Sequence, residues 1–372
     1  NTVTIAAANA GQAITCTYTN TRIQATLTLR KSWTNAIVNN AVNLPATTGF
    51  TNNTALFNSV ANTTTETDTG VSVTVFAGET GTLTAEAFTV GSAANYNATL
   101  TCTGNATALA GNSLTVSAAD TAIVCTYSNT RLQSTLRLAK AWGANSIAGN
   151  VASIGATTGL TNNTALFTST ASTNTNGAFV TVFAGETATL PAETMTTGSL
   201  ANYTTALACD NGVTPSGANG QASNTVTIAA ANAGQAITCT YTNTRRSATL
   251  TLRKVWVNAL NGDTATVTST GFTNNATSGL STSTGNNTTT GTSVTVFAGE
   301  SGTISEVLSN AGNYNAVLSC TGNTTALAGN ALTINAADTA ITCTETNTRR
   351  SATLTLRKVW SGANSGDAVS IP

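Results

Sequence analysis

The heptapeptide LTLRKVW fills residues 250–256 and recurs unchanged at 354–360. Its apolar residues alternate with polar ones, the period of a strand with one buried face. On that period Leu250, Leu252, Lys254 and Trp256 share a side, so an ammonium falls between a leucine and a tryptophan where the core should be. The chain has four lysines, Lys31, Lys140, Lys254 and Lys358, and each stands two residues before a tryptophan, at Trp33, Trp142, Trp256 and Trp360. Every other basic residue is arginine. A surface lysine would be free to drift or to be exchanged for arginine, and in these related segments it has done neither.

The lysine strand opens a unit that repeats along the chain, and internal repetition has to be recognised before the fold is argued. Each unit continues through a Thr/Asn-rich middle, a VTVFAGE-like segment, an Asn-Tyr strand carrying a cysteine, and a closing strand that ends in Asn-Thr-Arg. Complete units fall at 23–131, 132–245 and 246–349, flanked by the C-terminal part of a preceding unit at 1–22 and the N-terminal part of a following one at 350–372. The opening NTVTIAAANAGQAITCTYTNTR recurs at 224–245, so the chain starts in mid-repeat and is expected to be a piece of a longer protein. The absence of a signal peptide from such a piece carries no information.

Short runs such as VSVTVF at 71–76 and YNAVLSC at 314–320, punctuated by Gly, Asn and Asp, are strand-like, and helical periodicity is missing throughout. Units of roughly 110 residues built this way predict tandem Ig-like antiparallel β-sandwiches. The alanine-rich IAAANAGQAI is expected to be a turn, and the Thr/Asn-rich middles solvated loops and edge strands. The closing strand of one unit runs into the opening strand of the next almost without a linker, which predicts a stiff, elongated rod.

Composition excludes several functions. Only 8% of residues are charged, with 14 Lys+Arg against 14 Asp+Glu, where globular proteins average roughly 25%. No basic face is present for a nucleic acid, no apolar run is long enough to span a membrane, and there is no histidine to serve as base or metal ligand. Neither cofactor nor metal is expected. No nucleophile elbow, phosphate loop or ligand cluster points to an enzyme acting on an external substrate.

Seven cysteines follow the repeats: Cys102 and Cys125, Cys209 and Cys239, Cys320 and Cys343, with Cys16 left over. One pair per unit, in phase with core residues, points to an intradomain disulfide and an oxidising compartment. Buried free thiols and a metal site are the alternatives, and zinc is disfavoured because two thiolates leave its coordination unfilled.

The closing strand turns a second polar group inward, since Ile237, Cys239, Tyr241 and Asn243 share a face, as do Ile123, Cys125, Tyr127 and Asn129. Glu86, Glu193 and Glu306 follow the VTVFAGE segments. An unpaired buried charge costs several kcal/mol, so these groups are expected to meet the lysines. The strand RKVW, the segment SEVLSNAGNY at 305–314 and the terminal TNT together resemble the Cna-B or SpaA-like prealbumin-fold domains of bacterial surface proteins, adhesin stalks and pilins. The resemblance implies an intramolecular isopeptide bond, in which the lysine attacks the asparagine carboxamide with help from the buried acid. It would join Lys31 to Asn129 through Glu86, Lys140 to Asn243 through Glu193, and Lys254 to Asn347 through Glu306. The alternative is a buried Lys–Glu ion pair capped by asparagine. Two departures mark the units: LTAE and LPAE carry one residue more than ISE, which a β-bulge would absorb, and Glu345 stands where the other units have an inward tyrosine.

The expected function is a structural segment of an extracellular stalk or fibre in a large repetitive bacterial adhesin or matrix protein. Its partners are neighbouring repeats and, in a bundled filament, other copies. A pilus-like filament subunit is the alternative, and a glycan- or ice-binding module ranks below it, because aromatics are only 5% of residues and outward threonine is ordinary on a β-surface.

Overall fold

The computed structural model describes residues 2–371. In every unit the opening strand, Gln24–Thr34, Gln133–Trp142 or Ser247–Val257, lies at the middle of one sheet. The closing strand, Ala122–Arg131, Ala236–Arg245 or Ala340–Arg349, pairs with it in parallel. The cysteine strand, Tyr96–Thr103, Tyr203–Cys209 or Tyr314–Thr321, pairs antiparallel with the closing strand. Short strands from the Thr/Asn-rich middle and from the VTVF segment complete the other edge. The sandwich is therefore antiparallel except at one ladder, which joins the first strand of each unit to its last.

The second sheet is smaller. In the first unit Ala41–Leu44 pairs with Phe57–Val60 and Ala87–Val90, and Thr80–Thr82 pairs with Ser113–Thr115. In the third unit one continuous strand, Ser301–Leu308, replaces the two pieces Thr80–Thr82 and Ala87–Val90. In the LTAE and LPAE units the strand breaks, with residues 83–86 and 191–193 outside any ladder, and the piece after the break shifts register against its partner, as a β-bulge does, at Ala41/Val42 and at Val151/Ala152. A break frees the glutamate from the alternation of a strand, so its carboxylate still reaches the lysine.

The two faces close on one core in each of the first two units and on two clusters in the third, where Trp256, Ala259, Ala265 and Tyr314 pack apart from the rest. Leu27, Leu29, Lys31 and Trp33 are all at most 1% exposed, as are Leu250, Leu252, Lys254 and Trp256. Fully burying each leucine contributes about 1.5–3 kcal/mol, and this apolar surround is what makes the neighbouring ammonium costly. The turn Ala230–Asn232 is a single 3-10 turn, as IAAANAGQAI predicts. One residue separates each closing strand from the next opening strand, Leu132 between the first pair and Arg246 between the second. Among the described residues, 2–22 and 351–371 contain no strand, and Cys16 is exposed and free. No helix among the described residues is long and apolar enough to cross a membrane.

Candidate functional site

The parallel ladder brings lysine and asparagine together. Lys31 lies opposite Tyr127 and Trp33 opposite Asn129, so Lys31 and Asn129 are offset by two residues on the same inward face. The second and third units repeat the register, with Lys140 opposite Tyr241 and Trp142 opposite Asn243, then Lys254 opposite Glu345 and Trp256 opposite Asn347. Glu306 arrives on a strand of the second sheet, whereas Glu86 and Glu193 arrive from the gaps at 83–86 and 191–193. Lys31 Nζ donates to Glu86 Oε2 at 2.6 Å, Lys140 Nζ lies 3.3 Å from Glu193 Oε1, and Lys254 Nζ lies 3.0 Å from Glu306 Oε1.

In two units the same carboxylate also holds the amide. Asn243 Nδ2 donates to Glu193 Oε1 at 2.8 Å, and Asn347 Nδ2 donates to both oxygens of Glu306 at 3.1 Å. In the first unit both polar atoms of Asn129 are buried without a hydrogen-bond partner among the described residues, and so are Oδ1 of Asn243 and Oδ1 of Asn347. A buried polar atom left unpaired costs about 1–3 kcal/mol. The amide carbonyl is thus unpaired in every site, and in the first two units one carboxylate oxygen, Glu86 Oε1 or Glu193 Oε2, is buried without a partner as well.

Burial shapes the acid–base balance. It brings the Lys31 and Lys140 ammonium groups down to about 8 against the opposing pull of Glu86 and Glu193, and it lowers Lys254 as well. Burial also raises the Glu193 carboxyl, although Lys140 and Asn243 pull the other way. In the second unit a lowered lysine beside a raised carboxyl favours the neutral amine and the neutral acid. Each tryptophan ring stands 4.5–4.6 Å from its lysine Nζ and closes one side of the site. The ring is fixed by its own donor, Nε1, bonded to Ser59, Ser169 or Ser281 at 2.9–3.0 Å. These serines lie in the Thr/Asn-rich middles and have no sequence signal beyond an inward phase.

The third unit differs. Tyr127 and Tyr241 donate from their hydroxyls to the backbone oxygens of Thr84 and Pro191, whereas Glu345 at that position makes no side-chain hydrogen bond among the described residues. It lines a cavity of about 490 Å³ with Glu306, Leu318 and Asn330. The matching cavity of the first unit, lined by Glu86, Leu100, Asn112 and Tyr127, is about 240 Å³. Burial, and then the charge of Glu306, push the Glu345 carboxyl up to about 7.

The cysteines lie directly opposite one another on the antiparallel ladder and are bonded as Cys102–Cys125, Cys209–Cys239 and Cys320–Cys343. Among the described residues no group of three or more His, Cys, Asp and Glu side chains gathers as a metal site.

Sequence reasoning missed the Thr-Asn-Asn loops. Thr51, Thr161 and Thr273 bond through N–H and hydroxyl to Glu79, Glu186 and Glu300, the acids of the FAGE segments. Asn52, Asn162 and Asn274 donate to the backbone oxygens of Thr74, Thr181 and Thr295. The loops are clamped to the VTVF strands instead of being merely solvated.

Residues 132–245 match the family model SpaA_3, described as a prealbumin-like fold domain. The structure is also similar to solved structures. One is the major pilin protein T-13 of Streptococcus pyogenes, at 13% identity, covering 58% of this chain and 97% of that one with a TM-score of 0.29. Another is the TIE protein of Bacillus anthracis, at 11% identity, covering 88% and 51% with a TM-score of 0.36. A third is the pilus adhesin SpaC of Lactobacillus rhamnosus GG, at 10% identity, covering 90% and 44% with a TM-score of 0.27. The chain thus spans about half the length of the last two. No curated protein matches it.

Proposed function

We propose, for a chain whose middle unit is a prealbumin-like domain, that it is a load-bearing segment of an extracellular bacterial stalk or fibre, with each unit closed by a self-formed lysine–asparagine bond. The observation that carries this reading is the buried lysine, acid and under-satisfied amide on the ladder between the first strand and the last, present in all three units. The chain enters each unit on the opening strand and leaves on the closing one. Because the two strands are parallel neighbours, tension on the ends shears their whole ladder at once.

The chemistry balances without a cofactor. Proton transfer within the pair gives a neutral amine and a neutral acid, and the amine lone pair then attacks the asparagine Cγ while the carboxyl polarises its oxygen. The C–N bond to the amide nitrogen breaks, that nitrogen takes up a proton and leaves as ammonia, and a secondary amide joins the side chains. Each acid acts once, on its own unit, so the chain turns over no external substrate. Cystines on the adjacent ladder and a sparsely charged surface fit an oxidising, extracellular setting. Neighbouring repeats are the partners this reading requires, and lateral packing with other copies would make a bundled filament.

Single-molecule pulling tests the mechanical part. With the bonds in place, the chain from 32 to 128 in the first unit lies outside the force path, and only the short segments beside it lengthen. Full release of each unit's contour under force would overturn the load-bearing role.

A further inference from the structure

We infer that each unit carries a receptor for the arginine that ends the preceding unit, and that this contact fixes the rotation of one unit on the next. Arg131, the last residue of the first unit's closing strand, donates from Nε to the backbone oxygen of Ala184 at 2.8 Å. Its guanidinium lies 3.7 Å from Glu186 and 5.6 Å from the Phe183 ring centroid. Arg245 repeats every contact in the third unit, with Ala298 at 2.8 Å, Glu300 at 3.7 Å and Phe297 at 5.6 Å. Arg22 does the same in the first unit, with Ala77 at 3.4 Å, Glu79 at 3.4 Å and Phe76 at 4.7 Å, although the segment before it forms no strand. The Phe-Ala-Gly-Glu segment therefore gathers a guanidinium even where the segment that presents it forms no strand.

The receptor is built before the arginine arrives. Its carboxylate is already held by the unit's own donors: Glu186 Oε2 accepts from the Phe183 N–H at 2.9 Å, while Oε1 accepts from Thr161. A hydrogen bond to a backbone oxygen, an ion pair with a pre-oriented carboxylate and an aromatic face beside them suit a planar guanidinium better than an ammonium. Arginine at all three positions, in a chain whose four lysines all sit two residues before tryptophans, matches that preference.

The glycine between them records the same contact. A Cβ on Gly185 would meet Asn95 Nδ2 at 2.8 Å and Ile37 Cδ1 at 3.3 Å, both in the preceding unit. On Gly299 it would meet Asn202 and Ile147 of the second unit at 2.9 and 3.1 Å. Gly78 has nearly the same φ, +86° against +83° for Gly185, and nothing within 4 Å. The backbone requirement is shared, whereas the crowding belongs to the junctions. The geometry is head-to-tail, so its repetition propagates a constant twist along an array.

The test places dyes on noncanonical residues at exposed Leu56 and Leu166, equivalent positions of the first two units, and records single-molecule energy transfer in the whole chain. The wild type should give a narrow distance distribution. Arg131→Ala and Glu186→Gln should each broaden it, and Arg245→Ala, at the other junction, should leave it unchanged. Gly185→Ala should shift or broaden it while Gly78→Ala does not, which separates the interface from backbone strain. A distribution as narrow in Arg131→Ala as in the wild type overturns the inference. If Arg131→Ala fails to retain its three cystines, Glu186→Gln decides alone by the same criterion. The latch is independent of the lysine bonds, and the intact mass of each variant shows whether those bonds have changed.

Discussion

Lys31 Nζ stands 2.6 Å from Glu86 Oε2, with the lysine wholly excluded from solvent. The pair ties the opening strand to the gap between Thr80–Thr82 and Ala87–Val90, one strand away from an asparagine whose side chain has no partner among the described residues. An ion pair alone leaves that amide unexplained. A covalent lysine–asparagine bond consumes it, and makes the acid a participant in forming the bond.

Glu86→Ala should leave the first unit unbonded and the others untouched. Removing one partner of a buried pair costs about 3–5 kcal/mol, so this unit should also unfold first on heating. Peptide mapping would locate the change to the peptides carrying Lys31 and Asn129, and an unaltered bond there would show that the acid is dispensable.

The third unit should depend on pH through Glu345. Its folded carboxyl is raised to about 7 from an ordinary value of 4.5. Between those values the unfolded chain has given up a proton that the folded unit keeps, so stability is fully present below 4.5 and declines as pH rises toward 7. Glu345→Tyr should remove this slope and fill the cavity beside Glu306. Thermal melts from pH 4 to pH 8 on the order of these limits would show a flat profile in the variant, and a persistent slope would place its origin elsewhere.

Replacing Cys209 and Cys239 by serine should lower the stability of the second unit by about 2–4 kcal/mol, the usual effect of closing a loop of this size. Denaturant titration measures it. The mass of the lysine bond in that unit should not change, because the cystine lies on a different ladder.

Ser281→Ala removes the acceptor of a fully buried indole N–H and should cost about 1–3 kcal/mol. Ser169→Ala should cost less, because Trp142 is only half buried while Trp256 is 1% exposed. Equal losses would mean that the serines act otherwise than through the indole.

Much of this was legible in the alternation of LTLRKVW. It placed the lysine inside, and the inward phase of Tyr127 and Asn129 placed the amide beside it. Parallel pairing was not legible, because inward phase is the same for either strand direction. Nor was the broken strand at LTAE, since one extra residue announces a change of phase without saying that a gap would come in addition to a shift of register. The clamp between Thr51 and Glu79 was hidden by composition, as threonine is too common here for any one to stand out. The arginine receptor was hidden differently: both halves are plain in the sequence, but they meet across a unit boundary, where no spacing within a unit connects them.

The intact mass of the chain, fully reduced and denatured, tests the central claim most directly. The account predicts a deficit of one ammonia for each complete unit, removed singly by Glu86→Ala, Glu193→Ala or Glu306→Ala. The full theoretical mass would contradict it and leave the four lysines as buried or exposed cations without a bond.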